Sequence, residues 1–198
     1  MTKLSVFIAL ILLPVSSAFA ASILILGDSL SAGYGINENK GWVNLLQLAH
    51  SEHQIINGSV SGETSAGALR RLPALLQSVN PDLVVIEIGG NDGLRGFPLA
   101  KLKQNIDTII DKVENHGSQL LLTEIQVPPN YGPRYSKRFI SVFHQVAKEK
   151  NVKLIPFFMT EIAPKSELMQ ADGIHPNMEA QPIIMEWMQP WIINAIKP

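Results

Sequence analysis

Short apolar runs alternate along this chain with longer stretches in which apolar residues recur every three or four positions. A short continuous apolar run is typical of a strand that is buried on both faces. A spacing of three and four is typical of one face of an α-helix. The strands that this pattern predicts are residues 23–26, 54–57, 83–86, 120–122 and 152–155.

The amphipathic stretches between these runs predict the helices. One helix is expected at 41–49 and another at 64–79, where Pro73 should either kink the helix or restart it. A third helix begins at Pro98, because proline is tolerated in a first turn. A fourth helix is predicted by an apolar stripe that consists of Phe139, Val142, Phe143 and Val146.

The C-terminal helix is predicted to bury a wide apolar stripe and to bend at Pro190. That stripe consists of Ile183, Ile184, Trp187, Met188, Trp191, Ile192, Ala195 and Ile196. Five strands that alternate with helices through short connections predict a parallel five-stranded sheet with helices on both faces. We therefore expect one three-layer α/β/α domain, with its ligand site beyond the carboxyl ends of the strands.

The first twenty residues have the pattern of a secretory signal. Lys3 gives a positive start, residues 4–13 are mostly apolar, and Ala18-Phe19-Ala20 has the small residues that signal peptidase requires. A retained membrane anchor is the alternative, but this run is too short to span about 30 Å of hydrocarbon as a helix. We expect a signal peptide at 1–20 that is cleaved after Ala20, a single domain at 21–198, and export to the periplasm or the medium.

Composition excludes several classes of partner. The 198 residues are 46% hydrophobic and 17% charged, with a formal net charge of −1, which is typical of a globular domain. No basic run indicates nucleic acid, and we expect no stable insertion into a membrane. The chain has no cysteine, so disulfides and thiolate chemistry are excluded.

Four loops rich in glycine and polar side chains stand at the ends of the predicted elements. Residues 27–31, 57–64 and 89–92 follow the first three strands, and residues 172–176 precede the C-terminal helix. Because parallel strands end at the same edge of a sheet, we expect these loops to meet there.

Together the loops contain the groups that acyl transfer requires. Ser29 supplies a hydroxyl nucleophile, His175 supplies its base, and Asp172 is close enough in sequence to orient the imidazole. The oxyanion of the intermediate needs hydrogen-bond donors. We expect the backbone N–H groups of Ser29 and Gly62, with the side-chain amide of Asn91, to supply them.

Each of these residues also has a simpler explanation when it is taken alone. Ser29 could cap a helix, Asp172 and Asn91 could form turns, and His175 could be a surface loop residue. Their combination at one sheet edge favours catalysis. We expect structural roles for six other polar residues, which are Asp28, Asp92, His50, His53, His116 and His144. These histidines do not have the spacing of metal ligands, so we expect no metal site.

The motifs Gly27-Asp28-Ser29-Leu30, Gly62, Gly90-Asn91-Asp92 and Asp172-x-x-His175 occur in order along the chain after residue 20. This set resembles the four blocks of the SGNH (GDSL) hydrolase family. The longer runs 24–35, 89–96, 130–132 and 172–177 resemble the multifunctional bacterial acyl hydrolases of that family. The resemblance implies a flavodoxin-like sheet, no metal and no organic cofactor. It also implies hydrolysis of acyl-CoA thioesters, simple aryl and alkyl esters, and lysophospholipids.

An acyl group would need an apolar groove beside Ser29. The loop residues that we expect to line it are Leu30, Leu94, Phe97, Pro128, Tyr131 and Ile174. We expect the protein to be a monomer. Its expected substrate is a small acyl ester, thioester or lysophospholipid. One alternative is a carbohydrate or aryl esterase of the same family. Another is a binding domain that has kept the fold without catalysis, which the presence of Ser29, Asn91 and His175 disfavours.

Overall fold

The five predicted strands form one sheet. The computed structural model describes residues 20–197, so the predicted signal peptide, except for Ala20, lies outside the described residues. All strand pairs are parallel and the order across the sheet is β2-β1-β3-β4-β5. The strands are β1 Ser22–Gly27, β2 Gln54–Asn57, β3 Leu83–Glu87, β4 Gln119–Thr123 and β5 Lys153–Ile155.

Helices lie between and after the strands. Within residues 20–197 they are α1 Ser29–Ala32, α2 Trp42–Ala49, α3 Ser65–Val79, α4 Gly90–Leu94, α5 Leu99–His116, α6 Pro133–Lys150 and α7 Gln181–Ala195. None of these seven is both long enough and apolar enough to cross a bilayer. The short α1 and α4, which begin the loops after β1 and β3, were not predicted.

The helices cover both faces of the sheet, which confirms the three-layer α/β/α architecture. Helices α2 and α7 lie on one face, and α3, α5 and α6 lie on the other. Successive side chains of β1 alternate between the two cores: Ile23 and Ile25 pack with α2 and α7, whereas Leu24 and Leu26 pack on the opposite face. A strand in this position must be apolar at every residue, which explains the continuous runs.

Two prolines lie inside helices without ending them. Helix α3 begins at Ser65, one residue later than expected, because the Thr64 hydroxyl accepts the Gly67 N–H at 3.2 Å and caps it. Pro73 neither breaks nor restarts this helix. It lies on the exposed face, where water can satisfy the carbonyl that loses its partner. Pro190 lies inside α7 in the same way.

The prediction for α7 was wrong at two positions. Ile184, Met188 and Ile192 are fully buried, but Ile183 is 41% exposed and Trp187 is 40% exposed. A helix that rests on one side of a sheet buries only a single stripe. The eight-residue stripe in the sequence is wider than that contact, so its outer edge faces solvent.

The strand order reverses next to β1. β2 lies on one side of β1, while β3, β4 and β5 follow on the other. The loops after β1 and β3 therefore leave the sheet side by side and diverge, which opens a crevice at the carboxyl edge. This crevice lies where the polar loops of the sequence were expected to meet.

Candidate active site

Ser29, His175 and Asp172 form a continuous hydrogen-bonded chain at this edge. His175 Nε2 lies 2.9 Å from Ser29 Oγ. On the other side of the ring, His175 Nδ1 lies 2.6 Å from Asp172 Oδ2. The fold thus brings together a serine and a histidine that are 146 positions apart in the chain.

The surroundings of Asp172 fix the tautomer of His175. Desolvation raises the pKa of Asp172, but hydrogen bonds from the His175 ring and from the backbone N–H groups of His175 and Ile174 outweigh it and hold the pKa at about 2. The carboxylate is therefore ionised at neutral pH and can only accept. His175 must then carry its proton on Nδ1, which leaves Nε2 free to accept the Ser29 hydroxyl proton.

Two residues that the sequence did not indicate support the histidine loop. The ring of Tyr34 packs against the ring of His175 with centroids 4.4 Å apart. Gln170 Nε2 donates to the carbonyl oxygens of Tyr34 at 2.7 Å and Pro176 at 3.0 Å, so it ties the two loops together. These contacts form because the two loops lie next to each other in the folded chain, so no sequence pattern reveals them.

Ser29 begins α1 directly after the turn that ends β1. Asp28 caps this helix by accepting the Leu30 N–H at 3.2 Å, and its second oxygen accepts Asn91 Nδ2, also at 3.2 Å. Burial raises the pKa of Asp28 to about 6, although these hydrogen bonds and the His175 charge oppose the shift. Asp28 therefore links the turn before Ser29 to the amide of Asn91.

A buried glutamate lies beneath the same turn. Glu87, the last residue of β3, is fully buried, and its Oε2 accepts Ser31 Oγ at 2.7 Å and the Asp28 N–H at 3.3 Å. Burial, followed by the charge of Asp28, raises the pKa of Glu87 well above its ordinary value. Glu87 fits closely beneath Gly27, since a Cβ at that position would lie 2.7 Å from Glu87 Oε2.

The expected oxyanion donors come from separate loops. Gly62 follows β2 and has a φ of +78°, a conformation that favours glycine. Asn91 stands in α4 after β3, and one of its two amide hydrogens is used by Asp28. The neighbouring Asp92 instead accepts the backbone N–H and hydroxyl of Ser65 at 2.7 and 2.6 Å, so it joins α4 to the start of α3.

A cavity of about 310 Å³ opens beside Ser29 and Asn91. Of the six predicted groove residues, Leu30, Leu94, Pro128 and Ile174 line it, whereas Phe97 and Tyr131 do not. Tyr131 instead donates its hydroxyl to the Leu94 carbonyl at 2.8 Å. The lining residues that the sequence did not indicate come mainly from the loops after β4 and β5: Ile125, Gln126, Val127, Pro129, Phe157, Met159, Thr160, Ala163, Pro164 and Met169.

The other histidines lie in different surroundings. His144 Nε2 pairs with Glu124 at 2.7 Å, His50 Nδ1 lies 3.2 Å from Glu52, and His53 Nδ1 accepts the Ala21 N–H at 3.2 Å. Over residues 20–197, no three histidine or carboxylate side chains come together in a way that could hold a metal ion.

Comparison with known proteins identifies the class of protein to which this chain belongs. Residues 25–181 match the sequence profile described as the GDSL-like Lipase/Acylhydrolase family. The chain belongs to this family. That membership confirms the resemblance noted in the sequence and the prediction that the chain is an enzyme that hydrolyses ester bonds.

Individual relatives are similar over nearly the whole chain. "Esterase TesA" of Pseudomonas aeruginosa is 48% identical over 191 residues, which are 94% of each protein. "Thioesterase 1/protease 1/lysophospholipase L1" of Escherichia coli is 46% identical over 92% of this chain and 88% of its own length. The crystal structure of the psychrotrophic esterase EstA from Pseudoalteromonas sp., inhibited by monoethylphosphonate, has a TM-score of 0.85 at 50% identity and covers 88% of this chain and 97% of EstA.

Proposed function

We propose that this enzyme hydrolyses esters and thioesters of apolar acyl groups through an acyl-enzyme on Ser29, with His175 as general base and acid and Asp172 as its orienting carboxylate. The observation that carries the proposal is the 2.9 Å contact between His175 Nε2 and Ser29 Oγ. A hydroxyl is a weak nucleophile until a base within hydrogen-bond reach removes its proton.

The reaction takes place in two halves. Ser29 Oγ attacks the acyl carbon while His175 Nε2 takes its proton, and the imidazolium then donates that proton to the departing alcohol or thiol. Water attacks the acyl-enzyme in the second half, and His175 again transfers the proton. Asp172 stays ionised throughout, because its hydrogen bonds hold its pKa at about 2.

Charge on the tetrahedral intermediate needs donors that are already in place. We assign this role to the N–H groups of Ser29 and Gly62 and to the Asn91 side chain. Asp28 occupies one hydrogen of the Asn91 amide and thereby orients the other. An amide held in this way needs little reorganisation when the negative charge forms.

The cavity supports an apolar acyl group as the preferred substrate. Most side chains in its wall are apolar, and apart from Leu30 these come from the loops after β3, β4 and β5. We propose that an acyl chain attached to Ser29 extends from β1 across β3 and β4 towards β5. That path is about 14 Å long, because neighbouring strands lie about 4.8 Å apart. The name of the Escherichia coli relative is consistent with thioesters and lysophospholipids among the substrates.

Replacing Ser29 by alanine tests the proposal. Ser29→Ala should lose turnover of p-nitrophenyl esters, acyl thioesters and lysophospholipids alike, and should no longer react with a fluorophosphonate probe. Its unfolding transition should match the wild type. Ser51→Ala removes an exposed hydroxyl from a turn before β2 and should keep full activity. Probe labelling that survives in Ser29→Ala would refute the assignment of the nucleophile. A wild-type preference for acetylated sugars would favour the carbohydrate esterase alternative.

We also propose that the enzyme is exported after cleavage following Ala20 and acts as a monomer. The support for export is the signal pattern of residues 1–20. Gel filtration with light scattering tests the monomer, and a mass twice that of the chain would contradict it.

A further inference from the structure

Arg95 connects the two loops that carry the expected oxyanion donors. It follows the last residue of α4, where its backbone N–H donates to the Asn91 carbonyl at 3.1 Å. Its side chain reaches the loop after β2, where Nη2 donates to the Gly62 carbonyl at 3.0 Å. One residue therefore contacts both Gly62 and Asn91, although these come from the loops after β2 and β3.

Gly62 lies in a turn that the Glu63 N–H closes by donating to the Val60 carbonyl at 3.1 Å, and Arg95 is the contact that it receives from the loop after β3. It is exposed and has a φ of +78°. If a Cβ is built on Gly62, the only heavy atom within 4 Å outside the adjoining residues is Arg95 Nη2, at 3.8 Å. Glycine has more rotational freedom than other residues, so a contact from another loop can influence its orientation. The guanidinium is thus a tertiary restraint on the Gly62 carbonyl, which belongs to the peptide that follows the one whose N–H should face the oxyanion.

The charge of Arg95 is not used in an ion pair. None of the salt bridges formed by residues 20–197 includes it. By contrast, Arg71 in the neighbouring helix pairs with Glu63 at 2.6 Å. Arg95 is exposed, so packing in the hydrophobic core does not explain the position of its side chain.

We infer that Arg95 is a positioning residue of the oxyanion hole, holding the Gly62 N–H at the correct distance from the Asn91 amide. The inference rests on the donor roles proposed above for Gly62 and Asn91. Arg95 itself does not touch the reacting atoms. Losing an oxyanion donor lowers kcat by about 10²–10³, and misplacing a catalytic group by about 1 Å costs up to about 10².

The first test is the kinetics of Arg95→Ala on a neutral substrate, p-nitrophenyl butyrate. We expect kcat to fall by about tenfold to a hundredfold with KM nearly unchanged, because the lost interaction exists only in the transition state. Arg95→Lys keeps a donor and the charge and should recover part of the rate. Arg70→Ala removes an equally exposed arginine from α3 and should change neither constant.

The second test is a double-mutant cycle with Asn91→Ala. If Arg95 acts by setting the geometry between Gly62 and Asn91, its loss should cost clearly less in an enzyme that already lacks the Asn91 amide. Full additivity of the two effects would overturn the inference. So would an Arg95→Ala variant with wild-type kcat.

A role for Arg95 in binding the substrate gives a different result. If its cation contacts phosphate on the substrate, Arg95→Ala should raise KM for lysophospholipid and leave the neutral ester unaffected, and the inference would then be wrong.

Fluorophosphonate labelling separates this inference from the proposed function. Arg95→Ala should still be labelled to completion at Ser29, but more slowly, in proportion to its loss of kcat, because the phosphonyl oxygen occupies the same hole. A normal labelling rate with reduced kcat contradicts the positioning role of Arg95. Absence of labelling in the wild-type enzyme contradicts the proposed function itself. Circular dichroism and the unfolding midpoint of each variant establish that the fold is retained.

Discussion

Glu87 is a carboxyl group at the end of a central strand, where water cannot solvate its charge. One oxygen accepts hydrogen bonds from Ser31 and Asp28, and the other, Oε1, is buried without a partner among the described residues. Burial and the nearby Asp28 raise its pKa, which favours the neutral form more than in a glutamate exposed to water. A neutral acid at this position can support the turn before Ser29 without adding a second negative charge beside Asp28.

A raised native pKa makes stability depend on pH with a definite sign. The contribution of Glu87 is complete below its unfolded-state pKa of about 4.3, and it is lost as the pH rises towards and through the higher native pKa. Between these values the loss approaches about 1.4 kcal/mol per pH unit. Glu87→Gln mimics the neutral acid and does not titrate.

Urea unfolding from about pH 5 to about pH 9 tests this prediction. The free energy of unfolding of the wild type should decline relative to that of Glu87→Gln as the pH rises. Glu161→Gln, at an exposed position, should follow the wild type. A difference between wild type and Glu87→Gln that stays constant over this range would show that Glu87 is ionised in the native state or does not titrate.

At the scale of the elements, the strands were predictable and several of the segments after them were not. The apolar runs that identify β1 and β3 follow directly from burial on both faces. Helix α4 has two glycines in five residues, and glycine is a poor helix former. Its conformation depends on tertiary contacts such as those of Asp92 with Ser65, which no local pattern reveals.

The cavity walls illustrate the same limit. Leu30, Leu94 and Ile174 lie within or next to the four sequence motifs, and this proximity was enough to predict that they line the cavity. Phe157 and Met159 follow β5, three strands away from Ser29, and only the strand order brings their loop to the cavity. Phe97 and Tyr131 were on suitable loops but do not line the cavity.

Filling the far end of this cavity should shorten the preferred acyl chain. Each buried methylene contributes about 0.8 kcal/mol, which corresponds to about a fourfold gain in kcat/KM until the chain reaches the end. Ala163 is an exposed lining residue after β5, so Ala163→Trp should remove this gain for long chains and spare acetyl esters.

A series of p-nitrophenyl esters of increasing chain length measures this effect. Ala163→Ser changes the side chain little and should keep the wild-type profile. An equal loss on short and long esters, or an unchanged profile in Ala163→Trp, would contradict the proposed path of the acyl chain towards β5.

At the scale of the whole molecule, the proposed cleavage site adjoins the folded sheet. Ala21 is 1% exposed, its N–H donates to His53 Nδ1 at 3.2 Å, and its carbonyl accepts the Gln54 N–H at 2.8 Å. Ala20, by contrast, is exposed. Cleavage between them would leave a mature chain whose first residue immediately precedes β1 and is hydrogen-bonded to the first residue of β2.

The intact mass of the enzyme purified from a host with a secretion pathway tests this proposal. It should correspond to residues 21–198. Ala20→Phe replaces the small residue before the cleavage site and should leave the precursor uncleaved. A wild-type protein that keeps residues 1–20, or that begins at a different position, would show that the assignment of the cleavage site is wrong.

The strands, most of the helices, the layered architecture and the family could all be predicted from the amino-acid sequence. This was possible because apolar periodicity and the order of the four motifs are properties of the chain alone. Which side chains meet became evident only in the folded protein. The 2.9 Å contact between His175 and Ser29, the placement of Glu87 beneath Asp28 and the link from Arg95 to Gly62 all depend on how loops approach one another in space. Such distances depend on strand order and packing, which cannot be predicted from any local stretch of sequence.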